Sequence, residues 1–180
     1  MKSVTLTQPS TRIKMKTHLL LPVFATLTFF GSSMIRAEDT TDDKFMKKAA
    51  LHGKAEVNIS ELGVKKADND GVKSIAQETV KDHTQFNKEL EELAQSKHLA
   101  LSSASDPDTD KIIAKLEKES GSGFDKAFLK VLEKGHKDSV SAFEDAQKNC
   151  TDPNLKEWVN KSLPTIKGHL DNISKALESR

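Results

Sequence analysis

The sequence predicts an all-α protein, a four-helix bundle with a long connection, containing a short helix, between the second and third main helices. Three observations lead there. Beyond residue 37 the chain holds four stretches of about 25 residues whose apolar positions recur every three or four residues, the helical period. No segment alternates apolar with polar, and no dipeptide signals a tight hairpin. Aromatic residues are few, eight Phe, one Trp and no Tyr, which disfavours a β-sandwich.

The first helix is expected from Asp42 to Ala67, with Asp42 and Asp43 as its amino-terminal cap and Asp68-Asn69-Asp70-Gly71 as its stop. The second runs from Asp70 to Lys97 on a stripe that includes Val72, Ile75, Ala76, Val80, Phe86, Leu90 and Leu93. Residues 98–122 form the long connection. Ser102 to Pro107 is loop chemistry, and a short helix is expected from Asp108 to Glu119 before Ser120-Gly121-Ser122-Gly123 breaks the chain. The third main helix spans Phe124 to Lys148. Thr151-Asp152-Pro153 then caps a fourth that runs to Glu178 and carries Pro164 inside, where a kink is expected. At 1.5 Å per residue each main helix is about 37 Å long, and helices of matched length pack as a bundle. A long middle connection could cross from one end to the other, as in ferritin-like folds.

Composition excludes several classes. With 180 residues the chain suits one domain plus a leader. A hydrophobic share of 36%, a charged share of 31% and only eight Gly and five Pro exclude collagen-like, Pro-rich and membrane-spanning proteins. A single Cys excludes a disulfide scaffold and any multi-cysteine zinc or iron–sulfur site. The net charge of +1 is unevenly spread: residues 1–37 hold five basic residues and no acid, which leaves 23 basic and 27 acidic residues, a net of −4, in 38–180. A mildly acidic body offers no basic stripe, so no nucleic-acid partner is expected.

The leader reads as a secretory signal over residues 1–37. Lys16 precedes the apolar run Leu19 to Phe30, and Ala37 stands before the acidic Glu38-Asp39, so cleavage is expected after Ala37, with Met15 a candidate true start. Arg36 closes the apolar stretch before the roughly 20 residues a membrane span needs, so no stable membrane insertion is expected after cleavage. A bundle domain, residues 38–180, in the periplasm or outside the cell is the expectation.

The candidate site comes from polar residues that interrupt the apolar stripes. Thr79, His83, Phe86 and Leu90 share one helical line, as do Leu132, His136, Val140 and Phe143. So do Ser162, Ile166, His169 and Ile173, and on the first helix Phe45, His52, Glu56, Ile59 and Gly63. Glu56, His83, His136 and His169 fall within about three residues, or about 5 Å, of their helix midpoints, so side-by-side helices would bring all four to one layer. Burying three imidazoles and a carboxylate is costly unless they find partners. One solution is a single divalent transition metal, zinc, copper, manganese or iron, held by Glu56, His83, His136 and His169. The other is a hydrogen-bonded polar layer, with no metal, that fixes core packing in a structural or interaction module. A metal-dependent enzyme would further need an open coordination position and a channel, and no catalytic residue is assigned.

The same residues carry a resemblance. Phe45-Met46-Lys47-Lys48-Ala49-Ala50 with Gly53 to Val57, Asp82 to Leu90, Gly123 to Phe128 followed by His136, and Leu163 to Leu170 resemble the four motifs of the bacterial domain of unknown function 4142 family. The resemblance spans about residues 44–177 and implies an exported, ferritin-like bundle, often labelled an outer membrane protein, with no established activity. The motif residues it carries over are Glu56, His83, His136 and His169. No segment has the alternation of a barrel strand, so a soluble periplasmic protein is expected rather than an outer membrane one.

Other candidates weigh less. A di-iron carboxylate site needs Glu-x-x-His on two helices. Glu133-x-x-His136 has that spacing, but the second helix has Glu78 five residues before His83 and the fourth has no matching carboxylate. Cys150 continues a stripe and reads as a buried apolar thiol. His52 is expected at the edge of the layer and His98 in solvent.

Overall fold

The computed structural model of the protein describes residues 38–179 except Ser105. The expected signal sequence, the candidate start at Met15 and the expected cleavage after Ala37 lie outside the described residues. Five helices follow in chain order: α1 (Thr41–Lys66), α2 (Asp70–Ser96), α3 (Pro107–Leu116), α4 (Gly121–Asn149) and α5 (Pro153–Glu178). No strand occurs among the described residues. The four long helices form the bundle, and α3 is the short helix of the crossover.

The first cap differs from expectation. Thr40 is the N-cap of α1, its hydroxyl accepting from the Asp43 amide while the Asp43 carboxylate accepts from the Thr40 amide. Asp42 is instead buried and reaches across the bundle. Its carboxylate accepts from the Thr151 and Asp152 amides and the Thr151 hydroxyl, at the turn into α5. These bonds hold its pKa below the usual carboxylate range although burial opposes them. At the other end Asp125 of α4 does the same for the first hairpin, accepting from the Asp68 and Asn69 amides. Each helical hairpin therefore has its turn clamped by an aspartate of the other.

Those clamps fix helix directions. The end of α1 meets the start of α4, and the start of α1 meets the end of α4. Lys97, just past α2, pairs with Asp152 at the start of α5 at 2.5 Å. Helix α1 packs against α2 and α4, and α5 against α4 and α2, every neighbouring pair antiparallel. With α2 ending at one end of the bundle and α4 starting at the other, the connection runs the full length. Lys54 Nζ donates to the Ser102 carbonyl, and Lys66 Nζ to the Glu117 and Glu119 carbonyls, which pins the crossover along α1. The long crossover expected from loop lengths is present.

Two boundaries moved. Helix α3 starts at Pro107 behind an Asp106 cap and ends at Leu116, three residues short of expectation, because the Glu117 and Glu119 carbonyls turn to Lys66. The Ser-Gly-Ser-Gly run opens α4 rather than preceding it. Gly121, at φ +54°, takes the left-handed conformation that reverses the chain, and the Phe124 amide closes the first turn on the Ser120 carbonyl. Helix α5 is continuous through Pro164.

The core has two apolar clusters. One gathers Met46, Leu90, Phe143, Leu155, Trp158 and Ile166, and the other Ile59, Val72, Phe124, Phe128, Leu132 and Ile173. By the helix directions they occupy opposite ends of the bundle. Gly63 allows a close approach of α1 to α4: a Cβ there would lie 2.3 Å from the Phe128 ring. No described helix is long and apolar enough to cross a membrane.

Candidate metal centre

Between the two clusters lies a polar layer. His83 of α2, His136 of α4 and His169 of α5 converge there, 5%, 0% and 6% exposed. Their ring centroids form a near-equilateral triangle of 5.3, 5.6 and 5.6 Å. One ring nitrogen from each lies within 4.8 Å of the other two, and this is the one such group of three or more ligating side chains among the described residues.

Hydrogen bonds orient two of the rings. His136 Nδ1 is 2.9 Å from the Leu132 carbonyl one turn earlier. A carbonyl only accepts, so Nδ1 carries the proton and Nε2 keeps its lone pair. His169 Nε2 is 3.1 Å from the Asp82 carboxylate, which also only accepts, so the nitrogen left as acceptor is Nδ1. His83 Nε2, His136 Nε2 and His169 Nδ1 are all buried with no hydrogen-bond partner. Backbone carbonyls and carboxylates behind imidazoles are how proteins aim histidines at metals. Burial, with the neighbouring imidazoles adding to it, pushes His83 down to about 3. Burial likewise pushes His136 down to about 4, against the Leu132 bond. Both rings are therefore neutral at pH 7 and present lone pairs.

Glu56 of α1 is buried at the edge of this layer, 6% exposed. Its Oε2 stands 3.6 Å from His136 Nδ1, beyond hydrogen-bond reach, and has no other partner. Burial raises its pKa to about 8, so at neutral pH the contact joins two neutral groups rather than an ion pair. Gly135 makes room for it: a Cβ there would lie 2.1 Å from Glu56 Oε1. The structure thus brings three of the four expected residues to one point and sets Glu56 beside the protonated edge of His136.

Elsewhere the expectations hold or sharpen. His52 is half-buried at the layer's edge and His98 exposed. Glu133 faces outward to Lys137 and Ser174, so the Glu-x-x-His spacing builds no di-iron centre. Cys150 is buried, with its thiol pushed up to about 11 by burial and by Asp42, which makes it a poor nucleophile. Sequence reasoning missed three groups. Asp82 sits beside His83 in sequence but serves His169. The Leu132 carbonyl is a main-chain atom, and Gly135 acts by lacking a side chain. Asp82 alone left a sequence signal, as a carboxylate next to a core histidine.

A family model described as a domain of unknown function, DUF4142, matches residues 32–176. The chain belongs to the DUF4142 family. No curated protein is significantly similar to it. Among solved structures, a DUF305 protein from Streptomyces coelicolor is 16% identical, with a TM-score of 0.69, covering 78% of this chain and 92% of its own. A DUF305 fragment from Deinococcus radiodurans is 12% identical, with a TM-score of 0.69 and coverage of 79% and 99%. CopM in its Cu(I)-bound form is 15% identical, with a TM-score of 0.66 and coverage of 78% and 97%. At these identities the likeness shows a shared bundle fold.

Proposed function

We propose that this DUF4142 protein is an exported metal-binding bundle that holds one transition-metal ion through His83, His136 and His169, with Glu56 beside His136, and that it serves metal handling in the cell envelope. The observation that carries the reading is a buried triad that brings one nitrogen of each ring within 4.8 Å of the other two, each ring also keeping a buried nitrogen without a hydrogen-bond partner. Left unpaired, each such group costs about 1–3 kcal/mol, and one cation would satisfy all three. A layer that only fixed packing would gain nothing from aiming its lone pairs at one point. CopM, which shares the fold, is known in Cu(I)-, Cu(II)- and Ag-bound forms.

Copper is the favoured ion, in its monovalent state. Imidazoles suit copper, zinc and iron better than manganese, which prefers oxygen ligands. The penalty for burying an ion grows with the square of its charge, so a neutral three-imidazole site in an apolar core favours +1 over +2. A divalent ion would need Glu56 to ionise as compensation. An export signal over residues 1–37 would place the protein in the periplasm or outside the cell.

The test is metal content by mass spectrometry on residues 38–180, purified without affinity tag or chelator. Near-stoichiometric metal, lost in His83→Ala with His136→Ala, is the expected result. Wild type that holds no ion even after exposure to Cu(I), Ag(I) and Zn(II) would overturn the reading and return the histidines to a packing role.

A further inference from the structure

Any ion held by the triad has to reach a layer in which no histidine is more than 6% exposed. Two cavities adjoin that layer. One holds about 30 Å³, borders His83, and is walled by Phe45, Phe86, Phe143 and Trp158. The other is a groove of about 610 Å³ between α1, α3 and α4, whose lining includes Glu56 and Gly135. We propose that metal ions reach the triad through the groove under α3, with Glu56 as the carboxylate that draws the ion out of the groove and past the protonated edge of His136 toward the lone pairs of the triad. This rests on the metal-binding reading above.

Three observations carry the route. The aromatic cavity borders His83 and has His52, Asn87 and Ser139 among its rings, but at about 30 Å³ it has room for about one water, so an ion could enter only by shedding its hydration shell first. The groove instead offers oxygen and nitrogen ligands along its length. Second, among the described residues Glu56 is the carboxylate that both lines the groove and touches a triad histidine. Its Oε2 is buried without a hydrogen-bond partner, and the missing side chain at Gly135 lets the carboxyl lie against α4 between groove and His136. Third, the groove exists because the crossover is pinned. Lys54 and Lys66 tie it to α1, and Thr109 and Leu116 of α3 are buried beneath it. The rim is no bare acidic patch, since Asp108 and Asp138 are each paired with a lysine. Half-buried His52 borders both cavities, and burial and Lys48 lower its pKa against the fields of Asp138 and Asp106, so it offers a neutral imidazole on either path.

The experiment follows copper uptake by residues 38–180 in stopped flow. Cu(I) is delivered as its coloured bicinchoninate complex, and loss of colour reports transfer. Ala55→Phe fills the groove from α1, Ile112→Phe fills it from α3 outside the bundle core, and Ala142→Phe fills the aromatic cavity. The expected result is uptake slowed about tenfold in both groove variants, at wild-type rate in Ala142→Phe, with the same copper bound at the end in all. Circular dichroism checks folding, and Ile112→Phe decides should Ala55→Phe not fold. Groove variants that load as fast as wild type, or an Ala142→Phe that slows as much, would overturn the route while leaving the triad as a binding site. Wild type that never takes copper would overturn both.

Discussion

The two apolar ends of this bundle and the polar layer between them obey opposite rules. At the ends the buried core side chains are apolar and pack on one another: Phe124 stacks on Phe128 at 5.7 Å between centroids, and Phe45 meets Phe143 edge-on at 5.3 Å, although the buried Trp158 indole nitrogen has no partner. The middle layer gathers most of the unpaired groups, with orphaned nitrogens on all three rings and an unpartnered oxygen on Glu56. Apolar burial at the ends supplies the stability that offsets the cost of the unpaired groups in the middle, a division between scaffold and polar layer.

The largest expected effect tests whether the ends act only as scaffold. Phe128→Ala should cost about 3–5 kcal/mol in chemical denaturation, since the ring is fully buried, yet leave metal stoichiometry unchanged below the unfolding transition. Loss of metal in a variant still folded would break the division.

Next comes the reverse experiment in the middle. His83→Leu with His136→Leu replaces two unsatisfied groups by apolar ones of similar volume. The metal-free protein should gain about 1–3 kcal/mol while metal binding disappears. A double variant less stable than metal-free wild type would mean the imidazoles are satisfied in the apo state.

A comparable effect is expected from Asp82→Asn, which weakens the acceptor that orients His169. Metal affinity should fall about 10–100-fold with little change in apo stability. Competition against a calibrated Cu(I) chelator would measure it, and unchanged affinity would remove Asp82 from the site.

The smallest is a pH signature of the apo protein. His83 and His136 have folded values of about 3 and about 4, below the ordinary 6.5, so the unfolded chain binds more protons as pH falls below about 6.5 and stability drops. Glu56 has a folded value of about 8 against an ordinary 4.5, so the folded chain holds the extra proton between those values and stability drops as pH rises through them. Below pH 6.5 the two histidines outweigh the one carboxyl, and above it the carboxyl acts alone. Stability should peak near pH 6.5, with limbs of about 1.4 kcal/mol per pH unit. Glu56→Gln should flatten the alkaline limb, and a denaturation series across pH would show whether it does.

Helical period, loop chemistry and loop length, all local properties, determined the four long helices, the crossover and the depth of the candidate residues. His83, His136 and His169 were legible because a polar residue on an apolar line at a helix midpoint can only point into the core. The α1 cap was misplaced because Thr40, Asp42 and Asp43 are all good caps, and only the meeting of α1 with the turn into α5 drew Asp42 away. Tertiary structure decided which nitrogen of His136 and of His169 is left without a hydrogen bond, because that depends on the Leu132 carbonyl and on Asp82 from another helix. It also decided that Glu56 lies beside His136 rather than at the centre of the triangle, in the space Gly135 leaves. Periodicity fixes the angle and height of a side chain on its own helix. The distance from that side chain to a partner on another helix is set only by how the helices rotate and pack against each other.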